Sequence, residues 1–459
     1  MDSLRFYVQT FGCQMNDHDS GVLARLLEEA GHLEVARPDE ADLIVVNTCA
    51  IREKAEQKLF SQLGRYRLLK DRRPDLTIAV GGCVAQDAGC RLFRRAPYVD
   101  LVFGTHALQD VPDLVARVRR TGRRIAATPE EQDPERLEAF YAHHRARAVT
   151  AYVTVMQGCD NYCAYCIVPY VRGRELSRPA DEVVAEVERL VAQGVAEVTL
   201  LGQNVNSYGL KPRGETDFPA LVRRLARIPG LLRIRFTTSH PKDLSDDLIR
   251  CFGEVPALMP HIHLPLQSGS DRVLEAMRRR YTVARYLSLV ERLRQARPEI
   301  AITSDMIVGF PGETEEDFRA TLEVMERVRF DGLFSFKFSP RPGTLAARLP
   351  EPVPEPVKEE RLARLQALQQ AHTLERNQAL VGTVRPVLVE GPSKAGGGQV
   401  SGRTPENKIV NFPGDPAWVG REVDVRITAA AVNSLRGEAP AAPSVGPDHR
   451  PGGVACTFR

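Results

Sequence analysis

The sequence predicts an α/β protein in three parts: an N-terminal doubly wound parallel α/β domain, a central partial (β/α)6 barrel and a small C-terminal β-barrel. Strand and helix patterns alternate over residues 1–120, as in a doubly wound sheet. A second alternating series starts near residue 149 and holds six βα units. Residues 381–440 instead contain short strand patterns separated by Gly, Pro and Asn, which favours a small β-barrel.

Changes in composition along the chain suggest where these parts meet. The expected units are an N-terminal domain at 1–120, a polar linker at 121–146, a central domain at 147–376, a C-terminal barrel at 377–440 and a disordered tail at 441–459. His143 and His144 fall in the linker, and we expect both to be exposed.

Four strands are predicted in the N-terminal domain. Each is a short apolar run, and each is followed by apolar residues at helical spacing. The strands are LRFYVQT, DLIVVN, TIAVGG and DLVFG, and the helices after them are SGVLARLLEEA, IREKAEQKLFSQLGRYRLLK, RLFRRA and LQDVPDLVARVRR.

A cysteine follows each of the first three strands. Cys13, Cys49 and Cys83 come directly after their strands in the sequence. The carboxyl ends of parallel strands share one edge of a sheet, and ligands bind at that edge. The three thiols are therefore expected to converge on one metal site.

The central domain repeats the strand–helix alternation six times. Its strands are YVTVMQ, EVTLLG, RIRFTT, HIHLPL, AITSDMIVG and LFSFKF. In barrels of this kind the chemistry lies at the C-terminal ends of the strands. The run CDNYCAYC follows the first of these strands, so its cysteines are predicted on the catalytic face.

That run contains Cys159, Cys163 and Cys166, with no fourth cysteine or histidine nearby in the sequence. Structural zinc closes with four ligands, commonly in CxxC pairs. A redox CxxC pair would leave Cys159 without a role. A cubane iron–sulfur cluster accepts thiolate ligands, and three cysteines would leave one iron open to an exogenous ligand.

After a Pro-rich spacer, LPEPVPEPVKEE, a long polar helix and the short strands of the C-terminal barrel are predicted. Residues 377–440 hold seven Arg or Lys against six Asp or Glu. Because strong electrostatic RNA binders are markedly basic, the charge of this barrel does not by itself indicate RNA binding. A structural accessory domain remains the alternative.

The overall composition restricts where the protein works. The net charge is +3, which allows a nucleic-acid partner without requiring one. The sequence has no apolar run of about 18 residues, so no membrane span is predicted. The first residues lack the apolar region of a signal peptide. We expect a cytoplasmic protein without membrane contact, in which nine cysteines serve metal binding or catalysis rather than disulfides.

The CxxxCxxC spacing at the end of a first barrel strand resembles the radical S-adenosylmethionine superfamily. In that family the open iron of a 4Fe-4S cluster is chelated by S-adenosylmethionine, which is cleaved to a 5′-deoxyadenosyl radical. An aromatic residue usually precedes the third cysteine, and Tyr165 is in that position. The resemblance therefore implies S-adenosylmethionine as a cofactor.

A narrower resemblance covers nearly the whole chain. TFGCQMNDHDS, VVNTCAIREKAEQK and GGCVAQ are similar to the N-terminal domain of methylthiotransferases, and GCDNYCAYCIVPYVRGRELSRP to their radical domain. GRTPENKIVNF and SLRGE are similar to the TRAM module, an RNA-binding β-barrel. Within the family, CQMN and NTCAIREKAEQK resemble the MiaB type, which acts on isopentenyl-adenosine at position 37 of tRNA.

The resemblance implies two 4Fe-4S clusters and two uses of S-adenosylmethionine. One cluster would be held by Cys159, Cys163 and Cys166, and an auxiliary one by the three N-terminal cysteines. One S-adenosylmethionine methylates a sulfur on the auxiliary cluster, and another supplies the radical that removes hydrogen from carbon 2 of adenine. No catalytic side chain beyond the cluster ligands is expected, and the source of the sulfur stays open.

Further contacts with S-adenosylmethionine are expected after later barrel strands. The candidates are Gln203 and Asn204 in LLGQNVNSYG, Gln267 and Ser268 in HLPLQSGS, and Gly309 and Glu313 in IVGFPGET. Such Gly-rich strand ends are often only tight turns.

Arg172 and Arg174 follow the radical motif and are expected to meet phosphates of the tRNA anticodon loop. The expected partners are tRNA and an electron donor such as flavodoxin or ferredoxin, and the protein is expected to be a monomer. The alternative within the family is a methylthiotransferase for threonylcarbamoyl-adenosine or a ribosomal protein side chain. Outside the family, a non-catalytic iron–sulfur carrier and a zinc-containing RNA-binding protein remain open.

Overall fold

The computed structural model describes residues 3–50, 53–146, 148–210, 216–394 and 396–439. It confirms the predicted fold class, with an N-terminal parallel sheet, a central series of βα units and a closed C-terminal barrel. The disordered tail predicted at 441–459 and its Cys456 lie outside the described residues.

The N-terminal domain is a parallel sheet with helices on both faces. Its strands are β1 Arg5–Phe11, β2 Leu33–Glu34, β3 Leu43–Thr48, β4 Thr77–Gly82, β5 Leu101–Phe103 and β6 Ile125–Ala127. Its helices are α1 Gln14–Glu29, α2 Glu53–Arg72, α3 Cys83–Ala88, α4 Leu92–Arg95, α5 Val111–Thr121 and α6 Pro134–Tyr141. The strand order is β2-β1-β3-β4-β5-β6, with every neighbouring pair parallel.

Strand β3 shows why helices cover both faces of this sheet. Leu43 and Val45 point into one core with α1, α5 and α6, whereas Ile44 and Val46 point into the other with α2, α3 and α4. Because successive side chains of a strand face opposite sides, an uninterrupted apolar run is buried only between two layers.

The register of the sheet aligns the ends of three adjacent strands. Phe11 of β1 pairs with Thr48 of β3, and Thr48 pairs with Gly82 of β4. The residues that follow these strands therefore start at the same level of one sheet edge. This is the edge at which the three N-terminal cysteines were predicted to meet.

All six strands predicted in the central domain are present. The strands are β7 Thr150–Thr154, β8 Met156–Gln157, β9 Leu176–Ser177, β10 Glu197–Leu201, β11 Arg233–Phe236, β12 His261–His263, β13 Ala301–Val308 and β14 Gly332–Lys337. The first predicted strand is divided into β7 and β8, and β9 is an additional short strand. The helices are α7 Val168–Val171, α8 Ala180–Ala192, α9 Phe218–Leu225, α10 Asp246–Glu254, α11 Asp271–Ala276, α12 Val283–Ala296 and α13 Glu315–Val328.

The parallel strands of the central domain form an incomplete barrel. Strands β7, β10 and β11 make one sheet, and β12, β13 and β14 make another. A backbone bridge between Ile234 and Leu258 links the two halves, and one continuous apolar core underlies both. The short strands β8 and β9 form an antiparallel pair beside the first half.

A long helix, α14 Glu355–Gln378, leads to the C-terminal barrel. The barrel closes in the order β15-β16-β17-β19-β18. Its strands are β15 Val384–Pro392, β16 Gln399–Arg403, β17 Ile409–Pro413, β18 Glu422–Ala430 and β19 Leu435–Glu438.

Two buried arginines of β11 hold this barrel against the central domain. Arg233 donates to the carbonyl oxygens of Arg403 and Pro386 at 2.7 and 3.2 Å, and it pairs with the Glu422 carboxylate. Arg235 donates to the carbonyl of Thr404 at 2.9 Å. Charged guanidinium donors on backbone carbonyls give strong, directional contacts, so the barrel is held in one orientation.

The N-terminal and central domains meet through a buried polar network. His18 of α1 contacts Thr154 of β7 at 2.8 Å and His144 at 3.3 Å. His144 in turn contacts the Glu186 carboxylate of α8 at 2.6 Å, and Arg178 donates to the other oxygen of that carboxylate at 2.6 Å. Burial raises the pKa of Glu186, but the Arg178 cation and His144 outweigh burial and bring it to about 2.

The structure corrects two expectations about residues 121–146. The segment predicted as a linker contains strand β6, which extends the sheet, and helix α6, which packs into its core. His144 is buried rather than exposed because it bonds to Glu186 across the domain interface. No helix in the described part of the chain is long and apolar enough to cross a membrane.

Candidate functional site

The three N-terminal cysteines meet at the edge of the sheet. Cys13 precedes α1, Cys49 follows β3, and Cys83 is the first residue of α3. Side-chain hydrogen bonds link Cys49 to Cys13 and to Cys83. The convergence predicted from the strand ends is therefore present in the structure.

The contacts among these thiols favour the thiolate form of Cys13 and of Cys83. The hydrogen bond with Cys49 lowers the pKa of Cys13 to about 7 and that of Cys83 to about 6, against the effect of burial. The Arg172 cation lowers both further, whereas the pKa of Cys49 is raised by its two thiol neighbours. Thiolates are the form that binds metal, so this edge is chemically suited to an iron–sulfur cluster.

A second set of cysteines lies on the loop after β8. Cys159 and Cys163 are buried, and Cys166 is partly buried. The amide of Cys166 donates to the carbonyl of Cys163 at 3.0 Å, which fixes a tight turn between them. Burial raises the pKa of Cys159 to about 11. Burial also raises the pKa of Cys166, and the Arg279 cation opposes that rise. Arg279 donates to the Cys163 sulfur at 3.3 Å.

Gly158 allows this loop to start. Its φ of +80° is a left-handed conformation, and an added Cβ would lie 1.9 Å from the Arg174 carbonyl oxygen. Its amide donates to the side-chain oxygen of Gln203 at 2.5 Å. Gln203 therefore supports the cysteine loop rather than facing open space.

A cavity of about 790 Å³ extends from Cys166 of the second cysteine set to the strand end that precedes Cys13. On the central-domain side it is lined by Tyr165 and Cys166, and on the N-terminal side by Gly12, which precedes Cys13. This volume lies within the usual range for small-molecule sites. Each set of three thiols, with a cation beside it, is a donor set that fits an iron–sulfur cluster.

The residues predicted to contact the cofactor fall into two groups. Tyr165 and Gln267 line the cavity. The others make internal contacts: Asn204 with Asp243, Ser268 with the Ser270 amide, and Glu313 with the Gly309 amide and Arg361. Those contacts fix the turns after the barrel strands.

Several cavity residues were not predicted from the sequence. Asp305 and Ile307 alternate along β13, and β14 with the residues after it contributes the lining from Leu333 to Arg341. Thr10, Phe11 and Lys58 come from the N-terminal domain. In the sequence, only the run SFKFSPR indicated such residues. It ends the sixth predicted strand, on the face where barrels of this kind carry their chemistry.

The two arginines predicted to bind tRNA are in different environments. Arg174 is exposed, with a side-chain accessibility of 78%, and pairs loosely with Asp160 at 3.4 Å. Arg172 is 2% exposed and pairs with Asp19 at 2.7 Å. Its burial argues against the tRNA contact predicted for Arg172, because the neighbouring domain covers its guanidinium group.

Comparison with known proteins divides the chain as the structure does. Residues 5–104 match the uncharacterized protein family UPF0004, residues 153–325 the Radical SAM superfamily, and residues 378–439 the TRAM domain. A relative from Geobacter sulfurreducens is 55% identical over 94% of this chain and 96% of its own length. One from Geobacter metallireducens is 56% identical over 94% and 97%. Both carry the name tRNA-2-methylthio-N(6)-dimethylallyladenosine synthase.

Solved structures share the fold at low sequence identity. The radical S-adenosylmethionine methyltransferase TsrM from Kitasatospora setae is 16% identical, with a TM-score of 0.54 over 75% of this chain and 77% of that one. The cobalamin-dependent S-adenosylmethionine radical enzyme OxsB is 11% identical, with a TM-score of 0.51 over 80% and 56%.

Replacing Gly158 by Ala should disrupt the loop of Cys159. A left-handed Ala costs about 1–2 kcal/mol, and the clash with the Arg174 carbonyl adds to that cost. We expect the iron content after anaerobic reconstitution to fall by roughly half, because one of two three-thiol sites is affected. The matched control is Gly64→Ala in α2, where an added Cβ meets nothing within 4 Å. Full iron retention by Gly158→Ala would contradict this role.

Proposed function

This chain belongs to the family of tRNA-2-methylthio-N(6)-dimethylallyladenosine synthases, and we propose that it transfers a methylthio group to carbon 2 of an isopentenyl-bearing adenosine at position 37 of tRNA. It is a radical S-adenosylmethionine enzyme of tRNA modification. The cavity between the two cysteine sets supports the proposal best, because a sulfur donor and a radical source have to reach the same adenine ring.

Membership of the radical superfamily implies a 4Fe-4S cluster and S-adenosylmethionine. We assign that cluster to Cys159, Cys163 and Cys166, and a second cluster to the three N-terminal cysteines. When bound, these groups supply a 5′-deoxyadenosyl radical and a methylthio donor, which together can replace an unactivated aromatic C–H bond. Ordinary side chains cannot break such a bond, so the work of the protein is to bind and orient.

The cavity residues suit that work. Tyr165, Gln267 and Asp305 offer polar groups around Cys166, where S-adenosylmethionine would bind. Ile307 and Phe336 are apolar surfaces of the same cavity, suited to an isopentenyl group. Gln203, Asn204, Ser268, Gly309 and Glu313 act indirectly, since they fix the loops that carry the cavity residues.

Charge at the cavity opening is consistent with an RNA substrate. Lys58 and Arg341 line the cavity, and the exposed Arg174 follows the cysteine loop. We propose that Arg174 meets phosphates of the anticodon loop. The C-terminal barrel would add a second contact with the tRNA, as the TRAM match suggests. The enzyme would act as a cytoplasmic monomer and take electrons from flavodoxin or ferredoxin.

Replacing the two cysteine sets separately should separate the cleavage of S-adenosylmethionine from the formation of the methylthio product. Changing Cys13, Cys49 and Cys83 to Ala should leave reductive cleavage of S-adenosylmethionine intact but abolish the methylthio product, because only the sulfur-donating site is lost. Changing Cys159, Cys163 and Cys166 should abolish both. Each variant should keep roughly half of the iron. Loss of all iron in either variant would indicate a single shared site.

The substrate assignment is tested with anticodon stem-loops that carry plain, isopentenyl- or threonylcarbamoyl-adenosine. An apolar slot rewards a five-carbon group by only a few kcal/mol, so we expect strong but incomplete preference for the isopentenyl form. Mass spectrometry of the released nucleosides measures the product. Preference for the threonylcarbamoyl form would indicate a different substrate branch, and equal activity on all three would show that the alkyl group is not recognised.

A further inference from the structure

Arg172 belongs to the central domain but lies against a cysteine of the N-terminal domain. Its Nε is 3.4 Å from the Sγ of Cys83, and its Nη2 donates to Asp19 Oδ2 at 2.7 Å. It immediately follows α7, in the connection between β8 and β9 that also carries Cys159, Cys163 and Cys166. One short segment therefore connects the two cysteine sets.

The remaining terminal nitrogen of Arg172 has no acceptor. Nη1 is buried and makes no hydrogen bond with the residues that the structure describes. An unsatisfied buried donor on a charged group is costly, and native proteins rarely keep one without a ligand. The Nε of the same guanidinium contacts the Cys83 sulfur, so the charge of Arg172 lies next to the N-terminal cysteine set.

Packing holds this guanidinium in place. Ile167 and Val171 form a small apolar cluster with Cys83. The Thr105 hydroxyl donates to the Val171 carbonyl at 2.6 Å, and Gln132 donates to the Arg172 carbonyl at 2.7 Å. Both donors come from the N-terminal half of the chain, so docking of the two domains fixes the position of Arg172.

We propose that Arg172 is a positioning residue for the cluster held by Cys13, Cys49 and Cys83. Its guanidinium hydrogen-bonds the sulfur side of that cluster through Nε, and its charge stabilises the reduced state. Hydrogen bonds and charge near sulfur are known means of setting cluster potentials. This inference rests on the second cluster of the proposed function.

Asp19 provides the opposing charge. Its carboxylate pairs with Arg172 through Oδ2 and accepts the Tyr141 hydroxyl through Oδ1 at 3.1 Å. Removing the charge of Arg172 and removing that of Asp19 should therefore move the cluster potential in opposite directions. If Arg172 and Asp19 acted only in folding, their replacements would not shift the cluster potential in opposite directions.

The test uses the full chain with Cys159, Cys163 and Cys166 changed to Ala, so that only the N-terminal cluster is measured. Its midpoint potential is determined by redox titration followed by EPR. Arg172→Gln should shift the potential to a more negative value, and Asp19→Asn to a more positive one. Arg172→Lys keeps the charge but loses the planar guanidinium group, so it should shift the potential less than Arg172→Gln does. Arg174→Gln is the matched exposed control and should leave the potential unchanged.

The outcomes separate this role from the proposed function. An iron-free parent variant would overturn the second cluster and this inference with it. An iron-loaded Arg172→Gln with the parent potential, or shifts of the same sign in the Arg172 and Asp19 variants, would overturn the role of Arg172 alone. If Arg172→Gln loses its iron, Asp19→Asn decides: a potential no more positive than that of the parent contradicts the inference.

Discussion

The buried contact between residues 167–172 and the carboxyl edge of the N-terminal sheet is the constraint on which the site depends. It places the loop of one cysteine set beside Cys83 of the other, and the cavity lies between them. Neither domain alone would enclose that space. The His144–Glu186–Arg178 network joins the same two domains in a similar way, through a buried histidine and a buried Glu186–Arg178 ion pair. Such networks are costly unless every member is paired, which ties this interface to one geometry.

The two cysteine sets are positioned in different ways. Parallel register brings Cys13, Cys49 and Cys83 to one level, so the cysteine position is set by the sheet rather than by the loops. The second set depends instead on a loop, which is held by Gly158, Gln203 and Arg279. Since catalysis by a bound cofactor requires accurate orientation, these supporting contacts matter as much as the ligands.

The sequence was informative where the signal was local. Strand patterns, the cysteine after each strand and the CxxxCxxC run were sufficient to predict both cysteine sets. The errors concern long-range pairing. Arg172 looked like a surface cation, yet its partner Asp19 lies 153 residues away in the sequence. His144 lay in a polar stretch, but its partner Glu186 is on a different domain. Burial of a charged side chain depends on such partners, which periodicity and composition do not reveal.

We propose that two three-cysteine sites, one in each domain, lie on the two sides of one cavity. Anomalous X-ray scattering at the iron edge, from crystals of the anaerobically reconstituted protein, tests it most directly. We expect two iron sites, one at Cys13, Cys49 and Cys83 and one at Cys159, Cys163 and Cys166, on the two sides of the cavity lined by Gly12 and Tyr165. Iron at only one set, or a second iron position away from that cavity, would contradict it.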